Sequence, residues 1–175
     1  GYIERSCCKL MVVGSNVRCL ALDGLEDADS DEVISDLDYV DIAAGYQNTI
    51  SYQIDPNNPY LTIQNDTFYS KDLSVLYRYV GPGTTVFTIP DTVTKIAECA
   101  LPCEYFSEIV FGPNIKEFAP YSLDVNGAEN LTIRFNGSIE QLMYYKEMFQ
   151  GGKEMFQGGA VYADDMEDED LEKIY

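Results

Sequence analysis

Two stretches of the chain, FTIPDTVTKIAECAL at 87–101 and IVFGPNIKEFAPYSL at 109–123, carry the same residue classes in the same order at an offset of 22. Ile89 falls on Phe111, Val93 on Ile115, Ile96 on Phe118, Ala97 on Ala119 and Leu101 on Leu123. A third copy, MVVGSNVRCLALDGL at 11–25, places Val13, Val17, Leu20, Ala21 and Leu25 in the same slots. Its Gly24 stands where Ala100 and Ser122 do, and the turn recurs as IPDT, FGPN and VGSN. A period of this size constrains the fold more than any other feature. One such unit cannot bury its own apolar face, so the copies must stack.

Each copy opens on three β-branched, aromatic or aliphatic residues (FTI, IVF, MVV), which suit a short strand. A Pro or Gly beside Asp, Asn or Ser then turns the chain. Apolar residues follow at i, i+3, i+4, i+7 and i+8, as in Val93, Ile96, Ala97, Ala100 and Leu101. That spacing fits one face of a helix, and it equally fits a short second strand running into a single helical turn. The small residues of the fourth slot imply close packing between neighbouring coils.

The pattern TIPDTVTKIAECALPC resembles the BspA-type leucine-rich repeat, through Ile89, Pro90, Val93, Ile96, Ala100, Leu101 and Cys103. Leu101 stands where that family usually has Phe. The stretch NDTFYSKDLSVLYRYVGPGTTVFTIP resembles the family's intervening hairpin, with Lys71 and Asp72 at the turn between two alternating runs over Asn65–Tyr79. LTIRFNGSIEQL at 131–142 resembles a degenerate closing repeat, with Ile133, Phe135 and Ile139 following Ile109, Phe111 and Ile115 at an offset of 24. The resemblance covers about two-thirds of the chain. It implies an α/β, strand-rich, right-handed leucine-rich-repeat solenoid with short helical turns.

Bulk properties narrow the partners. Thirty acidic against 11 basic residues give a net charge of −19, so nucleic acid and anionic membrane are not expected to bind. No apolar run approaches the roughly 18–20 residues of a membrane helix, so no membrane insertion is expected. With 46% apolar residues and 14 tyrosines in 175 residues, the chain is rich enough for a packed core. The five cysteines have no zinc-site spacing: Cys7 and Cys8 adjoin, Cys19 stands alone, and Cys99 and Cys103 are four apart. Cys99 and Cys103 are expected to fill buried slots as small apolar residues. The chain opens in mid-repeat with CCKL, which is expected of an excerpt of a longer solenoid or of a short one with an eroded cap.

Catalytic sets are poorly represented. With no histidine, the usual general base, the Ser-His and Cys-His pairs and the commonest zinc ligand are all missing. A two-carboxylate carbohydrate-processing site remains the enzymatic alternative, with nothing to single out a pair. In DADSDEVISDLD, Asp27, Asp29 and Asp31 take positions 1, 3 and 5 of an EF-hand-like loop, with Ile34 at 8 and Asp38 at 12. Glu32 replaces the Gly of the sharp turn and Asp38 the bidentate Glu, so a solvated acidic loop is the reading. Tyr52, Tyr60, Tyr69, Tyr77 and Tyr79 cluster around the hairpin, either packed on the sheet or offered as contact surface. Asn65, Asn130 and Asn136 lie in N-x-[ST] sequons.

The unit KEMFQGG occurs at 146–152 and again, unchanged, at 153–159. Seven residues are too few for a coil, and each Gly-Gly breaks structure, so a duplicated loop is expected. The expected organisation is a solenoid over 1–145, with an acidic insert at about 26–38 and a hairpin insert at about 50–80. The duplicated loop and acidic tail DDMEDEDLEKIY follow over 146–175. What the resemblance implies is a non-enzymatic, cofactor-free, cell-surface or secreted binding module for a protein or glycan, acting in adhesion or recognition through its sheet face. The alternative of the same fold is an intracellular interaction scaffold. Oligomeric state and ligand identity are not legible.

Overall fold

The structure, a computed structural model, describes residues 10–22, 39–42, 51–82, 84–119, 122–124, 131–148, 161–163 and 167. The strand-forming residues that open each unit build a parallel sheet from β8 (Thr84–Thr88), β11 (Phe106–Phe111), β14 (Thr132–Phe135) and β15 (Val161–Ala163), in the order β15-β14-β11-β8. The pairing follows the sequence offset: Ile109 lies opposite Phe87 and opposite Ile133, and Phe111 opposite Phe135. A slip of one residue would turn the buried set outward, so this apolar alternation fixes the register.

The ambiguous slots resolve as strands rather than helix. Two-residue β9 (Lys95–Ile96) and β12 (Glu117–Phe118) line up in parallel with β7 (Val75–Tyr79), stacking Leu76, Ile96 and Phe118. Their backbone donors reach the preceding unit instead of residue i−4. The amides of Thr94 and Lys95 both donate to the Ser74 carbonyl, and those of Lys116 and Glu117 to the Thr94 carbonyl. Ala97 donates to Leu76 and Ala119 to Ile96 in the same way. A third rung pairs β10 (Leu101–Pro102) with β13 (Leu123–Asp124). The small slots are fully buried at Ala100 and Ser122, and their carbonyls accept from the Tyr79 and Leu101 amides. A larger side chain there would force neighbouring units apart.

Between 61 and 79 the chain makes an antiparallel meander of β5 (Leu61–Gln64), β6 (Thr67–Ser70) and β7. Asn65 and Asp66 take φ of 47° and 55°, as a two-residue type I′ hairpin turn requires. The turn expected at Lys71 and Asp72 joins β6 to β7. Asp72 accepts from the Ser70 hydroxyl, the Ser74 hydroxyl and the Ser74 amide, and these bonds hold its carboxyl down from 3.8 to about 2. The meander divides the core. Phe68, Leu61 and Val80 pack with Val13 and Val17, whereas Tyr69, Leu76 and Tyr79 join the larger cluster of the 87–145 region.

The third sequence copy does not stack on the other two. Its strand β1 (Leu10–Val13) pairs in parallel with β4 (Ser51–Ile54), and β2 (Cys19–Leu22) with β3 (Tyr39–Ile42). Residues 51–54, expected inside the hairpin insert, are therefore a rung of their own, followed by an Asp55-Pro56 turn. Asn58 locks this rung. Its Nδ2 donates to the Gly14 and Val17 carbonyls at 2.8 and 2.9 Å, while its Oδ1 accepts from the Tyr60 and Leu61 amides at 2.8 Å each.

The closing repeat departs from its template after β14. Ile139, expected to follow Ile115 into a coil turn, instead opens helix α1 (Ile139–Met148), whose Gln141 amide reaches the Ser138 hydroxyl. Ser138 and Gln141 thus stand in the S-x-x-Q spacing of a helix start. Leu142 and Tyr145 are buried against Phe135 and Phe118, and the Gln141 side-chain amide bonds the Pro113 carbonyl. The helix carries ordered structure across residue 145 into the first KEM, and β15 extends the sheet beyond the boundary expected there. The described residues are strand-rich, with one α-helix and a single 3-10 turn at Cys103–Tyr105, and the sheets remain open and separate.

Candidate binding face

The four-stranded sheet buries one face and offers the other. Phe87, Ile109 and Ile133 point into the core, so the residues on either side of them point out. Opposite one another on the outer face stand Val86, Glu108 and Thr132, and in the next row Thr88, Val110 and Arg134. Val86, Thr88 and Arg134 are exposed. Val110, a member of the second row, is only 8% exposed and is not part of the core cluster. Arg134 Nε donates to Glu108 Oε1 at 3.0 Å, tying two strands together across the face. Being half-exposed, that ion pair is worth at most about 1 kcal/mol in stability, but it fixes where the two charges sit. On the neighbouring ladder Lys95 Nζ meets Glu117 Oε1 at 2.6 Å across β9 and β12.

At the β8 edge the face runs into a recess of about 360 Å³. Gln64 and Asn65 of the hairpin turn form one wall, and Val86, Thr88 and Pro90 the other. The floor is aromatic, from Tyr69, Tyr79 and Phe87. Tyr79 and Phe87 meet edge-on at 5.3 Å between ring centres, and Phe106 supports both, at 4.8 Å from Tyr79 and 5.1 Å from Phe87. Burial pushes the Tyr69 hydroxyl above its usual pKa of 10, so it stays neutral. None of these lining side chains carries a charge. Asp66 and Asp91, both exposed, follow the lining residues Asn65 and Pro90 in the chain. Gly81 approaches the hairpin closely: a Cβ there would come within 2.5 Å of Tyr79 Oη and 2.8 Å of Asp66 Cβ.

The tyrosines of the central region divide between the two expected roles. Tyr69 and Tyr79 are buried, Tyr52 and Tyr77 are half-buried against the smaller cluster, and Tyr60 is exposed with the Arg18 guanidinium 5.2 Å above its ring. Cys103 is fully buried and Cys99 half-buried, both as thiols. Cys99 adopts φ of 49°, and its carbonyl accepts at 2.8 Å from Arg78, a buried cation whose Nε has no hydrogen-bond partner among the described residues. Of the sequon asparagines, Asn65 and Asn136 are exposed in turns. Asn130, the acidic loop with Asp27, Asp29, Asp31 and Asp38, and Cys7 and Cys8 lie outside the described residues. The recess escaped sequence reasoning because its walls come from positions about 20 apart. The one local signal was the Asn65-Asp66 turn, which fixes the near wall.

No protein-family model and no curated protein matches the chain. Among solved structures, a leucine-rich repeat protein from Eubacterium ventriosum is similar at 18% identity with a TM-score of 0.42. The likeness covers 73% of this chain, which spans only 36% of that protein's length.

Proposed function

We propose that the chain is part of a solenoid of BspA-type irregular leucine-rich repeats, and that it recognises a protein partner through the outer face of the β8–β11–β14 sheet. It is a binding module and not an enzyme, and it acts at the cell surface or as a secreted protein. The observation that carries this reading is the in-register stacking of β8, β11 and β14, which sets Val86, Glu108 and Thr132 in one row and Thr88, Val110 and Arg134 in the next. Side chains held on a strand spacing of about 4.8 Å form a preorganised contact surface, and binding to it orders little new structure. Adhesion is the role the sequence resemblance implies.

The test is a surface-binding screen against extracellular matrix proteins, comparing the unaltered chain with the variant Thr132→Arg/Arg134→Glu. Both positions lie on the outer face, where substitution leaves the core intact. Binding of at least one protein, weakened ~10-fold or more by the double variant, supports the reading. Silence from the panel, or binding indifferent to the variant, counts against it.

A further inference from the structure

We propose that Asn136 is a site of spontaneous covalent modification, and that its isoaspartyl product loosens helix α1 from the core. The modification needs no partner and no co-reactant other than water.

The chemistry belongs to the Asn136-Gly137 pair. The backbone nitrogen of Gly137 attacks the side-chain carbonyl carbon of Asn136 and gives up its proton, and the side-chain nitrogen leaves as ammonia. The five-membered succinimide so formed takes up one water at either of its two carbonyls. Opening one C–N bond restores the ordinary backbone with aspartate at 136. Opening the other leaves the chain running through the former side chain, as isoaspartate. The balance is one water consumed and one ammonia released.

Several observations place this reaction at the turn between β14 and α1. Asn136 is exposed, and its side-chain amide has no hydrogen-bond partner among the described residues. Gly137 has no side chain to shield its nitrogen, and the fold keeps it so: a Cβ there would lie 2.5 Å from Phe135 Cε1. Upstream, the Asn136 amide continues the strand ladder by donating to the Phe111 carbonyl at 2.9 Å. Downstream, the Gly137 amide donates to the Phe135 carbonyl two residues back at 3.0 Å, the closure of a γ-turn at a strand end. Cyclisation has to open that bond, and a hydrogen bond of ordinary net strength slows it by about 2–10-fold relative to the unfolded chain.

The consequence follows from what the turn carries. The Ser138 carbonyl accepts from the Gln141 and Leu142 amides at 3.1 Å each, and α1 then seats Leu142 and Tyr145 in the core, with the Tyr145 ring 5.0 Å from that of Phe135. Isoaspartate lengthens the backbone by one bond of about 1.5 Å just before this start. Gly137 has no room for even a methyl beside Phe135, so the helix start has to shift. Aspartate at the same place adds only charge, and a negative charge ahead of a helix N-terminus is favourable. The two products share one composition and differ in what they do to α1.

The test ages the full chain in mildly alkaline buffer beside a sample unfolded in urea. Trypsin isolates Phe135–Lys146 from the other Asn-Gly pair, Asn126-Gly127, which lies outside the described residues. Mass spectrometry of that peptide reads the exchange of NH2 for OH, and a protein isoaspartyl methyltransferase reads the isoaspartyl fraction. Asn136 is expected to convert in the folded chain at a rate within ~10-fold of that in urea. Hydrogen exchange should show the Leu142 and Tyr145 amides losing protection in the isoaspartyl fraction, while freshly prepared Asn136→Asp keeps it. Asn136→Ser should neither convert nor lose protection on ageing. Slower conversion in the folded chain than that ~10-fold limit overturns the proposal, as does an isoaspartyl fraction as protected as the fresh chain. Equal loss of protection in Asn136→Asp overturns it too, because charge and not the added backbone atom would then be the cause.

Discussion

Replacing Asn58 with alanine is the sharpest way to probe how the two hydrophobic clusters are joined. Asn58 is 1% exposed and uses its full hydrogen-bonding capacity, two donors and two acceptor positions, on four backbone groups. The bonds to the Val17 carbonyl and from the Leu61 amide are buried, and those involving Gly14 and Tyr60 are partly buried. A buried backbone group left without a partner costs about 1–3 kcal/mol, and a bond whose partners regain water about 0.5–1 kcal/mol. The expected loss is therefore ~3–8 kcal/mol, a large part of the ~5–15 kcal/mol that holds a typical domain. The damage should stay local, because Val13, Val17 and Leu61 belong to a cluster separate from that of Ile109 and Phe111. Hydrogen exchange resolves this residue by residue. In Asn58→Ala the amides of Val17 and Leu61 should lose protection, while those of Ile109 and Phe111 keep theirs. A loss below ~1 kcal/mol would mean that water replaces the side chain. Equal loss of protection in both clusters would mean that the meander joins them into one cooperative unit, contrary to the division described here.

Deleting the second KEMFQGG, residues 153–159, should leave the melting temperature nearly unchanged: the step from Phe135 to its partner Ala163 would shorten from 28 to 21 residues, close to the 22 between Ile89 and Phe111. A drop of many degrees in a calorimetric scan would show that the second copy packs into the fold. Acid should loosen the Lys71–Asp72 turn in a defined window. Because the Asp72 carboxyl is lowered from 3.8 to about 2, its contribution is complete above 3.8 and is lost as pH falls through 2. The Ser74 amide shift, followed by NMR, should titrate with that low midpoint, and a midpoint near 4 would show that the three hydrogen bonds do not persist in solution.

Much of the repeat was legible because the slots that matter are apolar and few. Ile89, Phe111 and Phe135, or Ile96 and Phe118, could be aligned by eye, and the pairing found is the pairing their offset predicts. The meander turn at Lys71 and Asp72 was legible through the resemblance to the repeat family's intervening hairpin, with alternating runs on both sides. What could not be read is where polar residues do long-range work. Asn58 sits in DPNNPY, which reads as an ordinary turn, and its role depends on carbonyls 41 and 44 residues earlier. The rung at 51–54 was hidden for a related reason: its partner β1 is separated from it by the acidic insert, so no fixed period links them. Helix α1 was obscured by its closing-repeat pattern, in which Ile139 fills an apolar slot that a coil turn and a helix start both satisfy.

The outer rows carry a last consequence. Val86, Glu108 and Thr132 are neighbours on the face yet lie 22 and 24 positions apart along the chain, and the Glu108–Arg134 ion pair spans 26. No contiguous stretch of this sequence contains the surface it presents. A peptide excised from any one strand holds a single column of the face and none of its rows. The surface exists only while the strands are stacked, so whatever reads it also reads whether the chain is folded.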